Sequence, residues 1–251
     1  MTRVLAWDGC VNVRDLGGLP TAEGSLTRHG AIVRSDSVRR LSDAGWEALV
    51  AHGVRRVVDL RWAEELADDP PRVLPLEVVH VSLLGRFDEA YGAELDARLA
   101  RVSDPAQRIR RAYVEFLERF RPNFAHAVAA VADAPAGGVL IHCSAGKDRT
   151  GLVAALLLEI AGVPDDAIAD DYAASEPALE TLNERWIDAA CDETERERRR
   201  VVSRDGVPRE AMLGVLADLR ERFGGPERFL LGAGLPERQL ARVRGRLREE
   251  P

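Results

Sequence analysis

Lysine is nearly absent from this chain of 251 residues. Of its 35 lysine and arginine residues, every one except Lys147 is an arginine. Cysteine is also scarce: the three cysteines, at positions 10, 143 and 191, are too few and too scattered for a disulfide framework or a zinc knuckle. The sequence therefore predicts reduced thiols, as in a cytosolic protein, and implies no metal or other cofactor.

Long apolar runs are missing as well. The N-terminal stretch MTRVLAWDGCVNVRDLGG contains no apolar run long enough for a signal peptide. The most apolar segment, 151–163, is too short to span a bilayer and includes Glu159. We therefore expect a cytoplasmic protein without an integral membrane segment; export by a route that needs no signal peptide stays open.

The chain also lacks an excess of positive charge. The formal net charge is −7, whereas a nucleic-acid-binding domain usually carries a basic surplus, so no nucleic-acid partner is expected. The apolar and charged fractions, 46% and 31%, are typical of an ordinary globular protein. No repeat or flexible linker divides the chain, which predicts one domain over residues 1–251 and leaves the oligomeric state undetermined.

The chain alternates between strand and helix signals. Three β-branched runs and one weaker candidate predict strands, at 54–60, 77–84, 137–143 and 31–33. Ser42 is a good N-cap for a helix that ends near Gly53, and an apolar face from Ile109 to Phe120 predicts another helix. This alternation predicts an α/β fold with a largely parallel central sheet flanked by helices.

Two regions look like additions to that plan. Residues from about 164 to 251 show only helical patterns and predict C-terminal helical additions. The polar, weakly periodic stretch 85–106 lies between a predicted strand and a predicted helix, at the sheet edge where open α/β sheets bind ligands. We expect a helical lid there, within an insertion of about 85–120.

The strongest functional signal is the stretch HCSAGKDRTG, residues 142–151. It leaves an apolar strand, turns through small residues and enters an apolar helix. Such a loop directs consecutive backbone N–H groups into one concavity at a helix N-terminus, which favours an anion. Cys143 opens the loop as a candidate thiolate nucleophile. Arg149 closes it with a planar fork that can hold two oxygens of a tetrahedral oxyanion.

Other interpretations of this loop fit less well. A lone cysteine is usually a small core residue, but here the strand, the small residues, the arginine and the helix coincide. A nucleotide-binding loop would need glycine at 141 and serine or threonine at 148, where Ile141 and Asp148 stand. A metal site is not expected because His142 and Cys143 lack companions at ligand spacing.

At this point the sequence resembles a known family. Five blocks occur in family order: NVRDLGG (12–18), VRSDSV (33–38), VVDLRWAEE (57–65), HCSAGKDRTG (142–151) and DDYAAS (170–175). From about residue 12 to 247 the chain resembles the bacterial tyrosine/serine and phosphoinositide phosphatases of the cysteine-dependent protein tyrosine phosphatase superfamily. The resemblance implies that superfamily's fold and a metal-independent phosphomonoesterase. Its substrate would be phosphotyrosine, with phosphoserine, phosphothreonine and phosphoinositides as further candidates.

The resemblance also implies a two-step hydrolysis, in which Cys143 forms a phosphocysteine that water then hydrolyses. The phosphate group would be bound by seven residues of the loop: Ser144, Ala145, Gly146, Lys147, Asp148, Arg149 and Thr150. Thr150 would donate a hydrogen bond to the thiolate. The general acid implied by the resemblance is Asp148. The alternative is Asp88, which follows the strand 77–84 where ordinary tyrosine phosphatases carry their acid loop.

Supporting roles are implied for five residues of the family blocks: Arg14, Asp15, Asp59, Arg61 and His142. The first four residues could form a salt-bridge network that braces the loop, or they could line the pocket. His142 is expected to shape the loop. Lys147 is expected to extend the substrate range to phosphoinositides. A disulfide from Cys10 or Cys191 to an oxidised Cys143 and ordinary packing both stay open for those two cysteines. The rival function is a catalytically weak module that binds phosphorylated partners.

Overall fold

The structure is a computed structural model, and it describes residues 3–67, 69 and 75–248. Its described strands form one sheet in the order β1 (Arg14–Asp15), β2 (Ile32–Ser35), β5 (Gly138–His142), β3 (Val54–Asp59) and β4 (Glu77–His80). β1 pairs antiparallel with β2, whereas every other neighbouring pair is parallel. The predicted α/β fold with a largely parallel sheet is confirmed.

Each predicted strand run contains a strand, although the run 77–84 is extended only as far as His80. β1 carries no β-branched run and was not predicted. Its two residues pair with β2 through the backbone, in register with Arg34 and Val33. Pairing of this kind depends on a neighbouring strand rather than on local propensity.

The described residues contain eleven α-helices: α1 (Asp43–Ala51), α2 (Glu89–Leu99), α3 (Pro105–Arg119), α4 (Arg121–Ala132), α5 (Asp148–Ile160), α6 (Asp165–Ala173), α7 (Glu176–Asp188), α8 (Glu193–Ser203), α9 (Arg209–Phe223), α10 (Pro226–Leu231) and α11 (Glu237–Leu247). Ser42 caps α1 as predicted, since its side chain accepts a hydrogen bond from the Gly45 N–H at 3.2 Å. None of the described helices combines the length and the apolar character needed to cross a bilayer.

Helices cover both faces of the sheet. Along β5, Val139 and Ile141 belong to the larger hydrophobic cluster, whereas Leu140 between them belongs to a smaller cluster on the other face. This alternation follows from the pleat of a strand, which directs successive side chains to opposite sides. The larger cluster buries most of α5, so the helix that follows the functional loop is anchored along its length.

The segment predicted as a lid contains two helices with different roles. α3 is part of the core, because Tyr113 and Leu117 are 2% and 1% exposed within the larger cluster. α2 buries only Leu95 among its residues. A lid function stays a prediction, and the burial of α3 restricts it to the part before Asp104, the residue that caps α3.

Candidate active site

The loop that begins with Cys143 lies at the centre of the sheet edge, where β5 ends between β2 and β3. Gly146 is the tightest point of this loop. Its φ is +71°, and a Cβ at this position would lie 2.6 Å from the carbonyl oxygen of Ser35 at the end of β2. Only glycine allows both the left-handed conformation and this close approach.

Hydrogen bonds hold the carbonyl groups of the loop from behind. The Ser144 carbonyl accepts from the Ser37 N–H at 3.0 Å and from Arg40 Nη1 at 3.2 Å. The Ala145 carbonyl accepts from Asn12 Nδ2 at 2.9 Å, and the Gly146 carbonyl accepts from Arg34 Nη2 at 2.7 Å. In a trans peptide the C=O and the following N–H point in opposite directions. The N–H groups of residues 145–147 therefore face the other side of the loop, as an oxyanion cradle requires.

A buried charge cluster fixes the rear of this cradle. Arg34 donates to Asp171 Oδ2 at 2.7 Å as well as to the loop, and Arg14 donates to Asp171 Oδ1 at 3.2 Å. Although burial opposes the charge of Asp171, Arg14, Arg34 and Arg3 hold the pKa of this carboxyl well below its usual range. Arg14 is therefore part of a brace between β1, α6 and the loop, which matches the salt-bridge alternative for its role.

Cys143 and Arg149 lie together in a recessed position. Cys143 is 2% exposed and Arg149 is 8% exposed. Although burial opposes the charge of Arg149, electrostatic interactions with Cys143 and Glu65 raise the pKa of the guanidinium. Cys143 and the guanidinium of Arg149, six positions apart in the sequence, thus interact electrostatically.

Glu65 holds the fork of Arg149. One carboxylate oxygen contacts Arg149 Nη1, and the other lies 3.2 Å from Arg149 Nη2. The guanidinium also lies over the ring of Trp62, 4.6 Å from its centroid. Sequence reasoning did not select Glu65 or Trp62, although both belong to the block 57–65 that follows β3. Their signal was their position at the carboxyl end of a strand next to β5.

Asp59, Arg61 and His142 form a second buried network beside the loop. Arg61 donates to Asp59 through Nε at 3.0 Å and through Nη2 at 2.6 Å, and it also binds Asp69. His142 is fully buried, with Nε2 at 3.5 Å from Asp59 Oδ2, and burial lowers the pKa of its imidazole. Two carboxylates thus engage Arg61 in a salt-bridge network beside the loop.

The Asp15 carboxylate makes its contacts towards the other end of the parallel strands, so its supporting role for the loop stays a prediction. Its carboxylate accepts from the Gly17 N–H at 2.8 Å and the Gly30 N–H at 2.7 Å, and it lies 3.2 Å from His52 Nε2. Gly30 precedes β2, whereas the loop follows the other end of the parallel strands. Adjacent residues on a strand point to opposite sides, so Arg14 reaches the brace while Asp15 does not.

Lys147 and Thr150 have different surroundings. The Lys147 ammonium donates to the Gly206 carbonyl at 3.0 Å, in the loop between α8 and α9, and lies 3.6 Å from Asp148 Oδ1. It therefore connects a distant segment to the loop that begins with Cys143. The Thr150 hydroxyl is buried and has no hydrogen-bond partner within the described part of the chain. It is available for the bond to a thiolate that the sequence predicts.

The two acid candidates are held in different ways. Asp148 begins α5, and its Oδ1 accepts a hydrogen bond from the Tyr113 hydroxyl at 2.6 Å. Asp88 is exposed and caps α2 by accepting from the Tyr91 N–H at 3.0 Å. The residue before it, Phe87, packs edge-on against Trp62 with 5.3 Å between ring centroids. Asp148 belongs to the loop itself, whereas Asp88 belongs to a segment beside it.

All three thiols are free. Cys10 is buried in the smaller cluster, where burial and the charge of Asp36 raise its pKa to about 12. Cys191 is exposed, and its thiol contacts Glu195. The structure therefore supports ordinary packing for Cys10 rather than a ready partner for Cys143. Among the residues that the structure describes, no His, Cys, Asp or Glu side chains group into a metal site.

Comparisons with known proteins identify the family of this chain. A sequence profile described as the tyrosine phosphatase family matches residues 5–249. A tyrosine-protein phosphatase of Nostoc commune is 33% identical over an alignment of 235 positions, gaps included, that covers 91% of this chain and 78% of the relative. The triple specificity protein phosphatase PtpB of Mycobacterium tuberculosis is 29% identical over an alignment of 270 positions, gaps included, that covers 94% of this chain and 96% of PtpB.

Similarity to a solved structure is weaker. The crystal structure of TpbA from P. aeruginosa in complex with phosphotyrosine aligns with 85% of this chain and 98% of the TpbA chain. The identity is 17% and the TM-score is 0.34, a likeness too distant to add to the family match.

Proposed function

This chain belongs to the tyrosine phosphatase family, and we propose that it hydrolyses phosphotyrosine through a covalent phosphocysteine on Cys143. One observation supports this mechanism above all. Donors behind the loop hold three consecutive carbonyl groups, so the N–H groups of residues 145–147 face the opposite side, where a phosphate group can accept from them. Preorganised donors of this kind supply the largest share of stabilisation for a charged transition state.

In the first step the Cys143 thiolate attacks phosphorus. A sulfur–phosphorus bond forms, the bond from phosphorus to the tyrosyl oxygen breaks, and that oxygen takes a proton from Asp148. In the second step water attacks the phosphocysteine and Asp148 accepts a proton from it. Inorganic phosphate leaves, and the thiolate is regenerated.

Arg149 stabilises the transferred group in both steps. Its two Nη atoms contact the Glu65 carboxylate in the free protein. A phosphate group presents the same pair of oxygens to the guanidinium, so it takes the place of that carboxylate when substrate binds. The second candidate acid, Asp88, would require its helix to give up an N-cap, which favours Asp148.

We extend the proposal to phosphoserine, phosphothreonine and phosphoinositides as substrates. Two observations support this extension. The relative PtpB is named a triple specificity phosphatase. Lys147 carries a cation in the loop next to the phosphate-binding residues, which suits head groups with several negative charges. Phosphate release from phosphotyrosine, phosphoserine and phosphothreonine peptides and from phosphoinositide vesicles measures this range.

The covalent mechanism is tested by Cys143→Ser. We expect turnover of a phosphotyrosine peptide to be abolished while the peptide still binds, because a neutral hydroxyl is a far weaker nucleophile and the cradle is intact. Cys191→Ser, which removes an exposed thiol, is the matched control and should retain full activity. A Cys143→Ser enzyme with a tenth of the wild-type kcat would show that no phosphocysteine is needed.

The rival function is a weak module that only binds phosphorylated partners. Assays of the wild-type protein distinguish it from a phosphatase. A phosphatase of this mechanism should hydrolyse an aryl phosphate, be inhibited by orthovanadate and be insensitive to EDTA. Binding of a phosphotyrosine peptide without phosphate release would favour the module instead.

A further inference from the structure

Two buried tyrosines form a hydrogen-bond chain that ends on Asp148. The Tyr113 hydroxyl lies 2.6 Å from Asp148 Oδ1, and the Tyr172 hydroxyl lies 2.9 Å from that of Tyr113. We infer that this chain positions Asp148 as the general acid and leaves Oδ2 as the oxygen that carries the proton to the leaving group. The inference rests on the proposed function, in which Asp148 protonates the leaving oxygen.

The direction of the chain follows from proton counting. An ionised carboxylate only accepts hydrogen bonds, so Tyr113 must donate its single proton to Asp148. The oxygen of Tyr113 can then only accept from Tyr172, which becomes the donor at the far end. When Oδ2 of Asp148 is protonated, Oδ1 is a carbonyl oxygen and still accepts. The chain therefore stays intact in both protonation states of the acid.

Burial keeps both tyrosines in the role of donors. Tyr113 and Tyr172 are 2% and 1% exposed, and their rings pack edge to face with 6.1 Å between centroids. Burial and the nearby charge of Asp148 raise the pKa of each phenol well above its usual value. Neither hydroxyl ionises near neutral pH, so neither competes with Asp148 as the acid.

Asp148 needs such support because its side chain is 46% exposed at the first turn of α5. Lys147 Nζ lies 3.6 Å from the same Oδ1 that Tyr113 binds. Both neighbours thus engage Oδ1, and no residue in the described part of the chain is recorded at Oδ2. In the first step the proton on Oδ2 moves to the leaving oxygen as its bond to phosphorus breaks. In the second step Oδ2 takes a proton from the attacking water.

The test is Tyr113→Phe, which removes one oxygen and retains the ring. We expect kcat/KM to fall about tenfold on an alkyl or unactivated aryl phosphate and less than twofold on p-nitrophenyl phosphate, whose leaving group needs little protonation. Tenfold is a modest part of the ~10²–10⁴-fold that a general acid contributes. Tyr172→Phe should act in the same direction with a smaller effect, since it only weakens the donor that reaches Asp148.

Two controls separate positioning from folding. Tyr91→Phe removes the hydroxyl of the remaining tyrosine, which lies in α2 and is not part of the hydrogen-bond chain to Asp148. This variant should leave kcat/KM on both substrates unchanged. The melting temperature of each variant reports stability. A role of Tyr113 in packing alone would lower the melting temperature and slow both substrates by the same factor, and this outcome would overturn the inference.

Asp148→Asn distinguishes the two levels of the proposal. If Asp148→Asn slows poor leaving groups selectively and Tyr113→Phe does not, the acid stands and the tyrosine inference is overturned. If Asp148→Asn slows all substrates equally, the acid assignment fails and the inference fails with it. In the double variant, Tyr113→Phe should add no further leaving-group dependence, because residues that act as one unit are not additive.

Discussion

At the scale of single residues, Arg149 shows how the pocket is kept ready for an anion. Its guanidinium contacts Glu65 through both Nη atoms and stacks on Trp62. A carboxylate and a phosphate present equivalent pairs of oxygens to an arginine fork. We therefore expect a substrate phosphate to compete with Glu65 for this fork, so that binding exchanges one anion for the other.

We expect Glu65→Gln to bind orthovanadate about tenfold more tightly than the wild type. A neutral amide competes for a guanidinium less strongly than a carboxylate does, because charge-assisted hydrogen bonds are roughly twice as strong as neutral ones. Tenfold corresponds to about 1.4 kcal/mol, a reasonable fraction of such a bond. The inhibition constant of orthovanadate measures the change.

Glu64→Gln is the matched control, since Glu64 is an exposed neighbour in the same turn. It removes the same charge without a contact to Arg149 and should leave the inhibition constant nearly unchanged. Weaker inhibition of the Glu65→Gln enzyme would mean that Glu65 orients Arg149 for the phosphate instead of competing with it.

At the scale of elements, α6 supports the loop at two points. Asp171 binds Arg34, which holds the Gly146 carbonyl. Tyr172, the next residue, reaches Asp148 through Tyr113. Neighbouring residues of one helix thus support the middle of the loop and its end. The block 170–175 thus supports the loop through Asp171 and Tyr172.

Asp171→Asn should destabilise the fold by about 3–5 kcal/mol, because it leaves buried arginines without their counter-charge. Arg14 and Arg34 have side chains that are 5% and 1% exposed, so water cannot replace the carboxylate. Urea unfolding at neutral pH measures the loss. Asp170→Asn is the control, because its pair with Arg209 is on the surface and should contribute at most about 1 kcal/mol.

The same carboxylate predicts a pH dependence. The pKa of Asp171 is lower in the folded protein than in the unfolded chain. Its stabilisation is therefore complete above the unfolded value of about 3.9 and is lost as the pH falls through the lower folded value. The advantage of the wild type over Asp171→Asn should be constant near neutral pH and shrink only in strong acid. A difference that already shrinks between neutral pH and pH 5 would contradict this explanation.

At the scale of the whole molecule, three distant stretches of chain meet at the phosphate loop. Asn12 reaches it from the N-terminal segment, Glu65 from the turn after β3, and Gly206 from the loop between α8 and α9. The last contact is made by the ammonium of Lys147. The one lysine of the chain therefore joins the C-terminal helices to the site and is also the cation proposed to favour phosphoinositides.

These two roles of Lys147 predict different results for Lys147→Met. If the charge serves phosphoinositides, kcat/KM should fall about tenfold more on a phosphoinositide than on a phosphotyrosine peptide, a difference of about 1.4 kcal/mol. Lys147→Arg retains the charge and should retain more of the phosphoinositide activity. Equal losses on both substrates together with a lower melting temperature would leave only the tether to Gly206.

Much of the fold could be predicted because its signals are local. The β-branched runs contain β2, β3, β4 and β5, and the Ser42 cap marks the start of α1. Strand propensity and capping act between residues that are neighbours in the chain. β1 was missed because its two polar residues become a strand only through β2.

The candidate loop from Cys143 to Arg149 could likewise be selected from the sequence alone, since its cysteine, small residues and arginine are consecutive in the chain. Only the tertiary structure decided which side chains support it. Glu65 and Arg149 are separated by 84 positions, and Tyr113 and Asp148 by 35. Such pairs depend on how strands and helices pack against one another. The same packing directs Asp15 away from the loop, although it lies in a family block.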